Sequence, residues 1–324
     1  MSCTINEQSS IKGILPCKNF SISLQLDNAA SVSRFPAATL RGGFGSTLRR
    51  LVCPTTDLQC SACLLRNNCV YCYLFETTPS PDSVRLKNYK AVPHPFTLWC
   101  DQTGAVLRIE LLLIGKAIQY LPYFIYTLRK LGTQGLGKEY VKFEIESVRT
   151  DAIEVFRNGS ENVNMHFDND NLHFFTGEDS DGTCTLDIYS PMLLRKDGRN
   201  VNGFDSYAFM STLLRRITSL YVFHCDGDNF DNCKDLLDCW VSDIKADAQL
   251  KIVRNTRFST RQQRQIDYDG FAGTVTLTGN IGRFLPLLQA GEVLAVGKNT
   301  AFGFGRYRIR GHEFNAENGE VDNG

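Results

Sequence analysis

The chain has 324 residues, 43% of them apolar, and a formal net charge of zero. That length suits two domains of ordinary size, and that apolar share excludes a disordered chain. No run reaches the roughly 18 apolar residues of a membrane span, and Met1 to Asn19 lacks the apolar core of a secretory signal, so a cytoplasmic place without membrane contact is expected.

The charge is unevenly spread. Residues 151–182 hold eight acids (Asp151, Glu154, Glu161, Asp168, Asp170, Glu178, Asp179, Asp181) against one base, Arg157. Residues 251–266 hold Lys251, Arg254, Arg257, Arg261 and Arg264 and no acid. A local basic patch binds polyanions even on a neutral protein.

In chain order, Phe20, Ile22, Leu24 and Leu26 alternate with polar residues, the period of a half-buried strand. In Arg34 to Leu51, the residues Leu40, Phe44, Leu48 and Leu51 fall at helical spacing around Gly42, Gly43 and Gly45. Glycine in a helix costs about 1 kcal/mol relative to alanine, so a close packing neighbour is expected there. Arg41, Arg49 and Arg50 on this helix are available to a polyanion.

Cys53, Cys60, Cys63 and Cys69 follow with spacing C-x₆-C-x₂-C-x₅-C, and Cys72 lies just behind. A C-x₂-C pair places two thiolates on one tight turn, half of a tetrahedral metal site. The expectation is a small cysteine-rich insertion holding structural zinc, with Cys69 and Cys72 competing for the fourth position. An iron–sulfur cluster uses the same four thiolates. Plain burial of small side chains is the blander reading. Twelve cysteines without an export signal favour thiols and metal over disulfides.

Val106 to Ile114 reads as a strand. Ile118, Leu121, Ile125 and Leu128 read as a helix with Pro122 near its first turn, and a GTQGLG turn precedes the alternating Val141, Phe143 and Ile145. The acidic stretch 151–182 reads as a connection rich in loop-forming residues. A second unit then opens with a strand at Thr183 to Tyr189. Tyr207 to Phe223 is helical with Arg215 and Arg216 on its outer face, and a second helix carries Leu236, Leu237, Trp240 and Ile244. In the basic stretch Phe258 stands among arginines, a pattern that pairs stacking with phosphate contact. Further elements are a strand at Gly273 to Gly279, a short helix from Ile281, and strands at Val293 to Val296 and Tyr307 to Ile309. Residues 313–324 read as a frayed acidic tail.

Between the last two strands lies Gly297 to Gly305, GKNTAFGFG, followed by Arg306, Arg308 and Arg310. Gly297, Gly303 and Gly305 let the backbone turn sharply and bring amides near a ligand, with Lys298 and the arginines adding positive charge. The spacing is not that of a phosphate-binding Walker loop, so RNA is a better ligand than a nucleotide. The alternative is a tight hairpin that needs glycine for geometry alone. Each half thus reads as strands alternating with helices, in the manner of a ferredoxin-like split βαβ unit. The predicted class is α+β, with tandem domains at 1–150 and 183–312 joined by 151–182. Open antiparallel sheets of this kind are common RNA platforms.

These stretches resemble a known family. GKNTAFGFGRYRI looks like the C-terminal glycine-rich signature of the CRISPR repeat-processing endoribonucleases, within the RAMP superfamily. LRGGFGSTLRR at 40–50, SPMLLRK at 190–196, LLRRITSLYVFHCDG at 213–227 and the order DGFAGTVTLTG, FLPLLQAGE, glycine loop are similar to one branch of it. The resemblance implies two RAMP (RRM-like) ferredoxin domains gripping CRISPR repeat RNA. It also implies metal-free cutting of precursor crRNA by the 2′-hydroxyl, leaving a cyclic phosphate. Many members use a histidine base near the first helix, often helped by Tyr or Lys, but residues 34–51 hold no histidine. Of His94, His166, His173, His224 and His312, the candidate base is His224, at the end of the helix carrying Arg215 and Arg216. Lys298 and Tyr307 are the helpers that the resemblance suggests. The competing expectation is a non-cutting RNA-binding subunit docked to other CRISPR effector subunits.

Overall fold

The computed structural model describes residues 10–29, 32–33, 35–54, 59–79, 92–228, 230, 233–254, 256–259, 264–267 and 269–314. The first half contains β1 (Lys12–Leu26), α1 (Pro36–Val52), α2 (Val70–Phe75), β2 (Phe96–Thr103), β3 (Val106–Ile114), α3 (Leu121–Gln134), β4 (Phe143–Thr150), β5 (Ile153–Arg157) and β6 (Asp170–Phe175). The second contains β7 (Gly182–Met192), the hairpin β8 (Arg195–Lys196) and β9 (Arg199–Asn200), α4 (Ser206–His224) and α5 (Cys233–Asp243). It continues with β10 (Ile244–Val253), the hairpin β11 (Thr256–Ser259) and β12 (Arg264–Asp267), β13 (Gly270–Gly279), α6 (Ile281–Leu294) and β14 (Tyr307–Phe314).

The first sheet runs β2-β3-β1-β4-β5 and the second β10-β13-β7-β14, all antiparallel. In each, the first strand of the unit lies between its third and fourth, the ferredoxin-like order. Period-two alternation explains the layering. Phe20, Ile22, Leu24 and Leu26 of β1 are buried against α1 and α3, while Ser21 and Gln25 face outward. On α1 the glycines do admit close neighbours. A Cβ on Gly43 would meet Leu131 of α3 at 3.1 Å, and one on Gly45 would meet Phe75 of α2 at 3.1 Å.

Two expectations change here. Residues 293–296 form no strand. α6 runs through Leu294, and Ala295 turns left-handed at φ 59°. Nor is 151–182 a mere connection. β5 extends the first sheet, β6 pairs with the start of β1, and Phe174 enters the core of the second half. The acids neutralise buried bases. Lys18, 4% exposed, is held by Asp151 (2.7 Å) and Asp170 (3.0 Å). Arg283, 3% exposed, is held by Asp179 (2.6 Å) and Asp243 (3.1 Å). A buried cation left unpaired would be costly, which gives these acids a structural role. Among the described residues no helix is long and apolar enough to cross a membrane.

Candidate nucleic-acid interface

The glycine-rich loop is folded onto the protein. Gly297, Asn299, Gly303 and Gly305 all take positive φ, from 64° to 116°. A Cβ on Gly305 would sit 1.9 Å from the Val296 carbonyl oxygen, and one on Gly303 would sit 2.9 Å from that of Leu98. The amides are engaged internally. Lys298 donates to Leu193 O, Gly303 to Thr300 O, Phe304 to Asn299 O and Gly305 to Pro191 O. The expectation that glycine amides aim at a phosphate is corrected for these positions, and geometry is what glycine supplies. The loop packs on β2 and the start of α1, so it sits between the two halves.

What the loop delivers to the surface is side chains. The Arg306 amide donates to Ser190 Oγ at 2.7 Å. Its guanidinium lies 5.3 Å from the Trp99 ring and 5.6 Å from the Tyr189 ring, and pairs with Glu110 at 3.1 Å. Arg308 stands 5.3 Å from the same Tyr189 ring, and Arg310 pairs with Asp187 at 2.7 Å. Trp99 and Tyr189 meet edge to face at 5.9 Å. Trp99 alternates with buried Leu98 and Cys100, and Tyr189 with buried Ile188 and Ser190, so both rings lie on the sheet faces that no helix covers. Arginines stacked on partly exposed aromatic rings offer cation and π-face together, the chemistry that single-stranded RNA uses.

Several predicted contacts are instead internal. Arg41 lies between the rings of Phe75 (4.8 Å) and Phe302 (4.9 Å), joining α1, α2 and the glycine loop. It donates to His94 Nε2 at 3.0 Å, so that nitrogen is an acceptor. Burial, then Arg41 and Arg216, push the His94 imidazole down to about 3. Arg49 lies over Tyr71 at 5.8 Å. Arg216 is buried and donates to Leu294 O at 2.8 Å, which removes it from any RNA surface, whereas Arg215 is half-buried. Arg254 is exposed at the end of β10. Arg257 and Phe258 fall on β11 and Arg264 on β12, while Arg261 lies outside the described residues.

The candidate base is corrected. His224 is fully buried, with Nε2 2.9 Å from Pro93 O and Nδ1 3.2 Å from the Tyr73 hydroxyl. Nε2 therefore donates and Nδ1 accepts. Burial, then Arg216 and Lys116, lower its pKa to about 4. It joins α4 of the second half to α2 and the 93–94 strap of the first, and no RNA oxygen can reach it. Tyr307 is also core, its hydroxyl donating to Leu288 O at 2.5 Å. Tyr307→Phe is therefore expected to lower stability by about 1–2 kcal/mol in urea unfolding, the cost of orphaning a buried acceptor, with RNA affinity unchanged. Lys298 alone of the three is exposed. Its pKa is lowered by partial burial and by Arg195 and Arg215.

Residues 15–168 match a family model described as an N-terminal domain, and residues 186–307 match that of the CRISPR-associated endoribonuclease Cas6. The C-terminal half therefore carries a Cas6-type domain. A protein of Archaeoglobus fulgidus named only as uncharacterized is 24% identical over 315 residues, covering 90% of this chain and 99% of that one. The fold is shared with a Cas6 product complex at 17% identity and TM-score 0.54, over 91% of this chain and 99% of the other. It is shared too with Thermus thermophilus Cas6 at 16% and 0.50, over 91% and 98%. A second Cas6 product complex matches at 15% and 0.51, over 92% and 100%.

The Cas6-type span ends at Tyr307, just past the glycine loop and Arg306. The sequence reading missed Trp99, Tyr189 and Glu110. The signal was there, since each aromatic occupies an outward position of an alternating strand, FTLWC and TLDIYS. Cys53, Cys60, Cys63, Cys69 and Cys72 form no disulfide and line one groove of about 470 Å³ between α1, α2 and α3. Burial pushes the Cys72 thiol well above its ordinary pKa, with Cys60 and Cys69 adding to the shift.

Proposed function

We propose that this chain binds CRISPR repeat RNA across the junction of its two sheets and cleaves precursor crRNA without metal, to give mature guide RNA. The observation that carries the reading is Arg306, at the end of the Cas6-type span, stacked with Trp99 and Tyr189 where the uncovered sheet faces meet. Arg306 and Arg308 take phosphates, and Trp99 and Tyr189 offer ring faces to unpaired bases. Lys298 is the group to move the proton of the attacking 2′-hydroxyl. It is exposed, and its lowered pKa brings it toward the range of a working general base. Arg195 and Arg215, which lower that pKa, stand ready for the developing charge on the phosphate.

Labelled repeat RNA incubated with pure protein in EDTA tests this. Products with a 2′,3′-cyclic phosphate and a 5′-hydroxyl are expected. Lys298→Ala should keep most binding and slow cleavage by about 10²–10⁴, the usual worth of a general base. Arg306→Ala with Arg308→Ala should weaken binding and flatten its salt dependence, by about 0.7–0.9 in slope per lost phosphate contact. An unchanged slope removes the proposed surface. The second reading, a non-cutting RNA-binding subunit that docks with other effector subunits, is favoured by the burial of His224 and the internal bond of His94. Tight binding with no cutting under any condition would establish it.

A further inference from the structure

We propose that the cysteine groove binds one zinc-class divalent ion through thiolates, and that the ion fixes α2 against the end of α1. The donors come from three short pieces of backbone. Cys53 caps α1 and donates its amide to Arg49 O at 2.9 Å. Cys60 and Cys63 bracket the 3₁₀ turn Cys60–Ala62. Cys69 caps α2, with Cys72 in the first turn of that helix. All five cysteines, Cys53, Cys60, Cys63, Cys69 and Cys72, line the same groove. This is a soft, all-sulfur donor set of the kind that suits zinc.

A second, independent observation points the same way. Neither the turn Cys60–Ala62 nor the turn Arg66–Asn68 buries a single residue, and Leu64 is fully exposed. These turns have no apolar core of their own. A segment that small holds a shape when a metal or a covalent staple supplies the folding energy. Among the described residues no three His, Cys, Asp or Glu side chains are placed to hold a metal ion as they stand. Binding therefore requires Cys60, Cys69 and Cys72 to draw together around the ion, with Cys63 or Cys53 swinging in as the fourth ligand. The ion's role is positional. α2 carries Phe75, which stacks on Arg41, and Tyr73, which holds His224, so the groove tethers the helix that joins both halves.

Metal analysis of the purified chain should find about one zinc per chain. Exchange with cobalt should give thiolate-to-cobalt charge-transfer absorption. Cys72→Ser should lose both signals, and Cys100→Ser, in β2 and outside the groove, should keep them. Because Cys72→Ser can fail to fold, wild-type protein is also tested. Alkylation of Cys60, Cys63 and Cys69, mapped by mass spectrometry, should rise at least tenfold on adding a strong chelator. Folded wild-type protein with no stoichiometric metal, no cobalt spectrum and chelator-insensitive thiols overturns the proposal. A visible iron–sulfur chromophore overturns it as well. None of these readouts depends on RNA binding or cleavage, so failure here leaves the proposed function standing.

Discussion

Gly305→Val is expected to destabilise the protein by more than about 4 kcal/mol, enough to remove most soluble protein from a fold of ordinary stability. Two terms add. Gly305 sits at φ 75°, a region that a β-branched residue enters only with strain. Its Cβ would also lie 1.9 Å from Val296 O and 2.7 Å from Val296 C, both backbone atoms with no freedom to yield. The position is pinned on both sides, by Val296 N donating to Gly305 O (2.8 Å) and Gly305 N donating to Pro191 O (2.9 Å). Gly311→Ala is the control, because no atom lies within 4 Å of its Cβ and its φ is not positive. It should cost less than about 1 kcal/mol. Urea midpoints of both variants decide the matter. Wild-type stability in Gly305→Val would show that the loop is not built as described.

Acid between about pH 6.5 and pH 4 should loosen the contact between the halves before it weakens any carboxylate pair. His224 is held neutral, with its pKa lowered from 6.5 to about 4 mainly by burial, and His94 is lowered to about 3. A group whose folded pKa is depressed stabilises the fold above its unfolded pKa. That contribution is lost as pH falls toward the folded value, because the unfolded chain takes up the proton first. For His224 alone the loss by pH 4 is on the order of 3 kcal/mol. Asp179, whose pKa is lowered by Arg283, keeps its pairing until pH falls below the ordinary carboxylate range, so this window belongs to the histidines. Urea midpoints at about pH 7.5 and pH 4.5 should differ accordingly. His224→Gln, which keeps an amide donor for Pro93 O, should flatten the difference. An unchanged difference in that variant would assign the acid sensitivity elsewhere.

Much of the fold was legible because alternation and helical spacing are local signals. Phe20 to Leu26, Val106 to Ile114 and the Leu213–Leu220 face all behave as their periods predict. The site was less legible, since its parts meet only through tertiary contact. Trp99 and Tyr189 are 90 positions apart. Nothing local tells a stacked arginine such as Arg306 from a buried one such as Arg216. Positive charge beside glycine suggested phosphate, yet the loop amides close on Leu193, Asn299 and Pro191. His224 looked free at a helix end because its partners, Tyr73 and Pro93, lie more than 130 residues earlier.

The two halves also trade residues. Ile11, Leu15 and Phe174 lie in the core of the second half, while Ala301, from the glycine loop, lies in the core of the first. Gly177 donates to Arg283 O across the same boundary. A gene cut between the two ferredoxin units would therefore encode two fragments, each missing part of its own interior. The two units thus form one inheritable whole that recombination could not shuffle as separate modules.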